Sequence, residues 1–192
     1  GTAMVSLSGL CGYVGRMEAY PNWNDTLVFN SFRGAYGENT HLIITYNKIW
    51  KVHTGIEGLK NNYGQKHYFA DNDITATRYG IFWYFNAGAA QMRAFENTIF
   101  VSGSNVDGIS INENTYGKAY YEIEYNTIKV GNNGSVQGGN VNGISANNVY
   151  APKISCNHVE LLTNHNDPKY TAIQLNTCNT ATVTNNTVRS HH

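Results

Sequence analysis

The stretch Phe95-Glu96-Asn97-Thr98-Ile99-Phe100-Val101, followed after a short loop by Asp107-Gly108-Ile109-Ser110-Ile111, decides the fold. An apolar residue stands three places before the Asn and another two places after it, and a Gly-Ile pair comes later. The pattern recurs. Asn47, Asn72, Asn97, Asn126, Asn157 and Asn186 are separated by 25, 25, 29, 31 and 29 residues. Three places before them lie Ile44, Phe69, Ala94, Ile123, Ile154 and Val183; two places after lie Ile49, Ile74, Ile99, Ile128, Val159 and Val188. All of these flanks are apolar. A period of this length built from short β-branched segments marks a solenoid in which each repeat is one turn of a coil.

The spacing translates into geometry. Asn is a poor strand residue but suits a sharp bend, where it tolerates the left-handed region and its amide reaches nearby backbone. If every coil bends at the same place, the Asn amides stack and satisfy one another. The second landmark is Gly55-Ile56, Gly80-Ile81, Gly108-Ile109, Gly143-Ile144 and Ala172-Ile173. From each Asn to the following Ile there are 9, 9, 12, 18 and 16 residues, and from each Ile to the next Asn 16, 16, 17, 13 and 13. Insertions are therefore expected in a loop that bulges from a fixed trace. Long loops are expected at residues 57–66, 102–107, 112–118, 131–142 and 162–171. Two of these contain the Gly/Asn/Pro-rich turns Gly131-Asn132-Asn133-Gly134 with Gly138-Gly139-Asn140, and Asn164-His165-Asn166-Asp167-Pro168.

On these residues the chain resembles the right-handed parallel β-helix of pectate-lyase-like proteins and phage tail spikes, over roughly residues 41–190. The resemblance implies an all-β, single-stranded parallel β-helix of about six to seven coils with a stacked-Asn bend. It also implies an extracellular setting, secreted or on a virion surface, and a polysaccharide or glycan as partner. It specifies architecture more than activity, because many chemistries share the scaffold. Residues 1–40 fit the repeat less well and are read as atypical terminal coils. There, Leu27-Val28-Phe29 stands about where a Gly-Ile strand should precede Asn47, and Cys11 to Met17 contains an earlier strand. Gly1-Thr2-Ala3-Met4 has the look of a tag remnant and Arg189 to His192 that of a cloning scar, so the chain is expected to be one domain excised from a longer protein.

The expected interior is Ile44, Ile49, Ile56, Phe69, Ile74, Ile81, Phe95, Ile99, Ile109, Ile123, Ile128, Ile144, Ile154, Val159, Ile173, Val183 and Val188, with hardly any helix. The 192 residues carry 13 Lys+Arg and 13 Asp+Glu, a net charge of +0, so no basic surplus points to nucleic acid. No apolar run of about 18 residues predicts a membrane-inserted helix. Fourteen Tyr in a neutral, Asn- and Gly-rich chain suit polar, uncharged ligands, sugars above all. Cys11, Cys156 and Cys178 form no CxxC, which argues against a disulfide framework or zinc cluster; Cys156 is read as a small apolar filler.

No cofactor or metal is expected. Asp71-Asn72-Asp73 superficially opens a calcium loop, but the required Gly is Ala76 and the closing Glu is Phe82. Phosphate-loop and nucleophile-elbow patterns are absent. Candidate chemistry sits on the Gly-Ile strand, where alternation turns the residue after each Ile outward. That aligns Glu57, Phe82, Ser110, Ser145 and Gln174, with Thr54, Tyr79, Asp107, Asn142 and Thr171 before the glycines and His53 and Arg78 one step earlier. Phe82, Trp83 and Tyr84 are expected to stack on sugar rings, with Ser110, Asn112, Ser145 and Gln174 bonding hydroxyls.

A glycoside hydrolase needs two carboxylates, about 5 Å apart for retention or roughly 6.5–9.5 Å for inversion. The candidates for acid and base are Glu57, Asp107 and Glu113. A lyase would instead use Arg78 with Tyr79 or His53, and is less well supported because no calcium-site carboxylate cluster is evident. Two other readings compete: a non-catalytic glycan-binding adhesin, and a structural spacer, a homotrimer whose exposed aromatics pack against sister chains.

Overall fold

The computed structural model describes residues 3–8, 11–14, 18–19, 33–38, 41–61, 66–85, 91–113, 120–131, 139–162 and 169–191. They form a seven-stranded and a twelve-stranded sheet, every pairing parallel, with no helix among the described residues. Three faces recur in each coil. Face one stacks His41–Thr45, Lys66–Ala70, Gln91–Phe95, Tyr120–Glu124, Lys153–Ser155 and Thr182–Thr184. Face two stacks Thr98–Ser102, Thr127–Gly131, His158–Leu162 and Thr187–His191, and face three Val106–Glu113, Asn140–Asn147 and Lys169–Asn176. In the two preceding coils faces two and three are continuous, as Lys48–Asn61 and Asp73–Phe85. The chain is thus a single-stranded parallel β-helix. Among the described residues all three faces are present in five successive coils, from residues 41–61 to 153–176, and Thr182–Thr184 with Thr187–His191 begin a sixth.

The asparagines turn the chain from face one to face two. Asn72 donates from Nδ2 to Asn97 Oδ1 at 2.9 Å, and Asn47, Asn97, Asn126 and Asn157 each repeat this bond to the next Asn at 2.9 Å. The same Oδ1 atoms accept the backbone N–H of the preceding Asn, and the second Nδ2 proton reaches a strand carbonyl, as in Asn97 to Phe69 O at 2.9 Å. The left-handed residue, however, is the one before each Asn. Tyr46, Asp71, Glu96, Tyr125, Cys156 and Asn185 have φ of 53–59°. The Asn itself is free to bury its amide because its neighbour makes the turn. Cys156 is therefore a half-buried corner residue rather than an interior filler, and it and Cys178 are free thiols.

The glycines mark the corner from face two to face three, where two consecutive residues point inward. A Cβ on Gly55, Gly80, Gly108 or Gly143 would lie 2.3–2.4 Å from the Ile or Val methyl of the next coil and 2.4–2.5 Å from the next corner's carbonyl oxygen. The exception, Ala172, lies on the last face-three strand among the described residues, which pairs on one side only.

Inward rows fill the core. Ile44, Phe69, Ala94, Ile123 and Ile154 are at most 1% exposed, as are Ile49, Ile74, Ile99, Ile128 and Val159. Four expected core residues differ, Ile173 among them, which is only partly buried on the last face-three strand described. Val183 and Val188 are exposed because they lie on the last coil, and Phe95 turns outward, its ring 5.3 Å from that of Tyr125, while Ala94 takes the inward place. Inward residues not foreseen include His67, Met92 and Tyr121, a second buried row on face one.

The loops are shorter than expected. Residues 57–61 belong to Lys48–Asn61, 112–113 to Val106–Glu113, and 140–142 and 169–171 open the face-three strands. The Gly/Asn-rich turns fall mostly, and residues 163–168 wholly, outside the described residues, as do Leu27-Val28-Phe29. The strand that stands on Lys48–Asn61 is instead Arg33–Glu38, Ala35 pairing with Ile56. Ala3–Ser8 pairs with it in turn, Cys11–Val14 pairs with face one and Glu18–Ala19 with face two, so these residues continue the same sheets.

Candidate functional site

Backbone register assembles the predicted rows on face three. Thr54, Tyr79, Asp107, Asn142 and Thr171 align in consecutive coils, as do Glu57, Phe82, Ser110, Ser145 and Gln174. A third outward row, Tyr84, Asn112, Asn147 and Asn176, follows two residues later. Asn147 and Asn176 escaped the sequence reading, although the period of two from Ser145 and Gln174 points to them. Asn176 Nδ2 donates to Asn147 Oδ1 at 2.7 Å, and Asn147 Nδ2 to Ser145 Oγ at 3.2 Å.

On the coil of Asp73–Phe85 the face is aromatic. The rings of Tyr79 and Phe82 lie 4.7 Å apart, and the exposed Arg78 guanidinium sits 5.0 Å from the centre of the Tyr79 ring. His53 is half-buried, with Thr54 Oγ1 3.5 Å from its Nδ1. Phe82, Tyr84, Asn112 and Gln174 are half-buried and reachable. Ser110 and Ser145 are only 2% and 3% exposed, and Glu57 8%. They point outward as expected but are recessed, since coils spaced about 4.8 Å apart let larger neighbours cover short side chains.

Two predicted residues leave this surface. Trp83 is 0% exposed, its ring 4.6 Å from His67 and 4.8 Å from Phe69. It shares the inward parity of Ile81, and its register partner Gly58 leaves the space: a Cβ there would lie 2.1 Å from the indole. Trp83 is thus a core residue rather than a stacking platform. Glu113 shares the inward parity of Ile109 and Ile111 and is 2% exposed. It faces Tyr121, whose hydroxyl is pushed above its ordinary value by burial and then by the Glu113 carboxylate. Asp107 and Glu113 consequently point to opposite sides of one strand.

Asp107 remains on the outer face and accepts a 2.8 Å hydrogen bond from Asn142 Nδ2. Burial raises its pKa from the ordinary 3.8, against the opposing effects of Asn142, Ser110 and Arg78. The folded protein therefore holds this proton to higher pH than the unfolded chain does, and stability falls as pH climbs from 3.8 toward the raised value. Asp107→Asn is expected to remove that fall, so the variant's advantage over the native chain grows with pH across the window. Denaturant unfolding at successive pH values checks this; parallel curves would exclude the effect.

The Glu57–Asp107 pair spans two coils and is offset by three residues along the strand. That puts the Cα atoms roughly 14 Å apart. Among the described residues no group of three or more His, Cys, Asp or Glu converges as a metal site, and no helix is long and apolar enough to cross a membrane. Asp71 makes the left-handed corner before Asn72. Compared with known proteins, the chain matches no family model, no curated protein and no solved structure significantly. What the fold defines is the class: a parallel β-solenoid with an asparagine ladder.

Proposed function

We propose that this chain is a glycan-recognising β-helix that holds a polysaccharide along face three without cleaving it, at an extracellular or virion surface. The observation that supports this is the registered outer surface. Aromatic Tyr79, Phe82 and Tyr84 stand together on one coil, Asp73–Phe85, and Asn112, then Asn147, then Gln174 with Asn176 supply amides on the three coils that follow. Rings offer apolar faces to sugar C–H groups, and amides both donate to and accept from hydroxyls. Ser145 bonds Asn147 and acts as a positioning residue.

The binding version is favoured over hydrolysis because Glu113 is interior and Glu57 and Asp107 are widely set. A polysaccharide array, followed by a reducing-end assay on each hit, tests both parts. The expected result is retention of at least one polysaccharide with no new ends, and a loss of at least roughly tenfold in affinity for Phe82→Ala/Tyr84→Ala. Release of new ends would overturn the non-catalytic reading, and no retention would overturn glycan recognition.

A structural spacer is favoured by a different observation: Tyr46, Tyr120 and Tyr125 are 63%, 59% and 54% exposed. Mass in solution separates the two, since a stable trimer with these tyrosines shielded supports packing.

A further inference from the structure

We infer that face one carries a second, separate saccharide subsite, sized for a single sugar unit, on the outer side of Gln91–Phe95 and Tyr120–Glu124. A depression of about 270 Å³ opens there, lined by Gln91, Met92, Arg93, Tyr120 and Glu122. Register explains its shape. Gln91 pairs with Tyr120 and Arg93 with Glu122, so four outward side chains form a rectangle on two adjacent coils, with buried Met92 and Tyr121 between the rows. The rectangle measures about 4.8 Å by 6.6 Å at the Cα atoms.

The chemistry points to a polyol rather than an anion. Arg93 Nε lies 2.6 Å from Glu122 Oε2, so the guanidinium is already neutralised, and a phosphate or carboxylate would have to displace Glu122. The Arg93 guanidinium also lies 6.0 Å from the Tyr68 ring and 4.0 Å from Glu124. A guanidinium beside a carboxylate offers donors and acceptors side by side, the complement of a vicinal diol, whose hydroxyls do both. Gln91 adds an amide of both kinds. Tyr120, 59% exposed, provides an aromatic wall for one sugar face. The volume lies just below the roughly 300–1,000 Å³ of sites for drug-sized ligands, which suits one ring and not an oligosaccharide.

The ligand class rests on the glycan reading, but the residues are distinct from face three, so the two fail separately. The test is amide-shift mapping of the intact chain with methyl glycosides of common hexoses and deoxyhexoses at millimolar concentration. Shifts centred on Gln91, Arg93, Tyr120 and Glu122, weakened roughly tenfold in Tyr120→Ala, are expected. Tyr120→Ala removes an exposed side chain and keeps the fold, and Glu122→Gln keeps the shape while removing the carboxylate, so it should also weaken binding. Shifts confined to the Asn112, Asn147 and Gln174 rows would overturn this subsite while supporting face three. No shift at any residue would likewise overturn it, leaving the polysaccharide array to decide face three. Unchanged affinity in Tyr120→Ala would overturn it as well.

Discussion

Asn97→Ala is expected to lower folding stability by about 4 kcal/mol, whereas Asn186→Ala should cost about 1 kcal/mol. Asn97 sits in the middle of the ladder and is 1% exposed. Its removal takes the Oδ1 acceptor from both the backbone N–H and the Nδ2 of Asn72, and the donor from the Phe69 carbonyl. Each of these groups is buried, and each buried group stripped of a partner costs roughly 1–3 kcal/mol because no water can replace it. Asn186 serves Asn157 in the same way, but on the outermost coil and only partly buried, where solvent can substitute. Urea unfolding of both variants gives the comparison. A native chain of this kind has about 5–15 kcal/mol to lose, so the Asn97 variant should unfold at a markedly lower midpoint. Equal losses at the two sites would mean that the ladder is not the source of the stability.

Gly108→Ala is expected to destabilise by about 3 kcal/mol, through a different mechanism. The new methyl would fall 2.4 Å from Ile128 Cγ2 and 2.5 Å from the Gly143 carbonyl oxygen. The isoleucine is fixed between coils and the carbonyl is backbone, so relief requires moving one coil relative to the next. Close-packed interiors resist that. The matched experiment is Ala172→Val, which should cost much less because, among the described residues, its strand pairs on one side only. Thermal unfolding of the pair decides. A small loss at Gly108 would show that the corner can open, and with it that coil spacing is not rigid.

The rows of the solenoid were legible because they depend on sequence spacing alone. An asparagine every 25 to 31 residues, with apolar flanks, fixes where coils bend and which residues share a register. The Asn47-to-Asn186 ladder and the Glu57-to-Gln174 row follow from it. The candidate site was legible in part. Alternation places Phe82 and Ser110 outward; the chemistry of Trp83 suggests the same surface, but its distance of two from Ile81 puts it inside. Parity likewise outweighs residue type at Phe95 and Glu113.

The fold class, the bends and the aligned rows were thus settled by the amino-acid sequence, since short β-branched segments around an asparagine recurring every 25 to 31 residues define a stacked strand coil. Tertiary structure decided the rest. Which residue takes the left-handed turn depends on who must bury an amide in the ladder, so Tyr46 or Glu96 turns and the Asn does not. Which outward side chains can be reached depends on their neighbours one coil away, so Ser110 is covered and Tyr120 is not. Both are properties of side chains brought about 4.8 Å apart by stacking, from positions 25 or more residues apart in the chain.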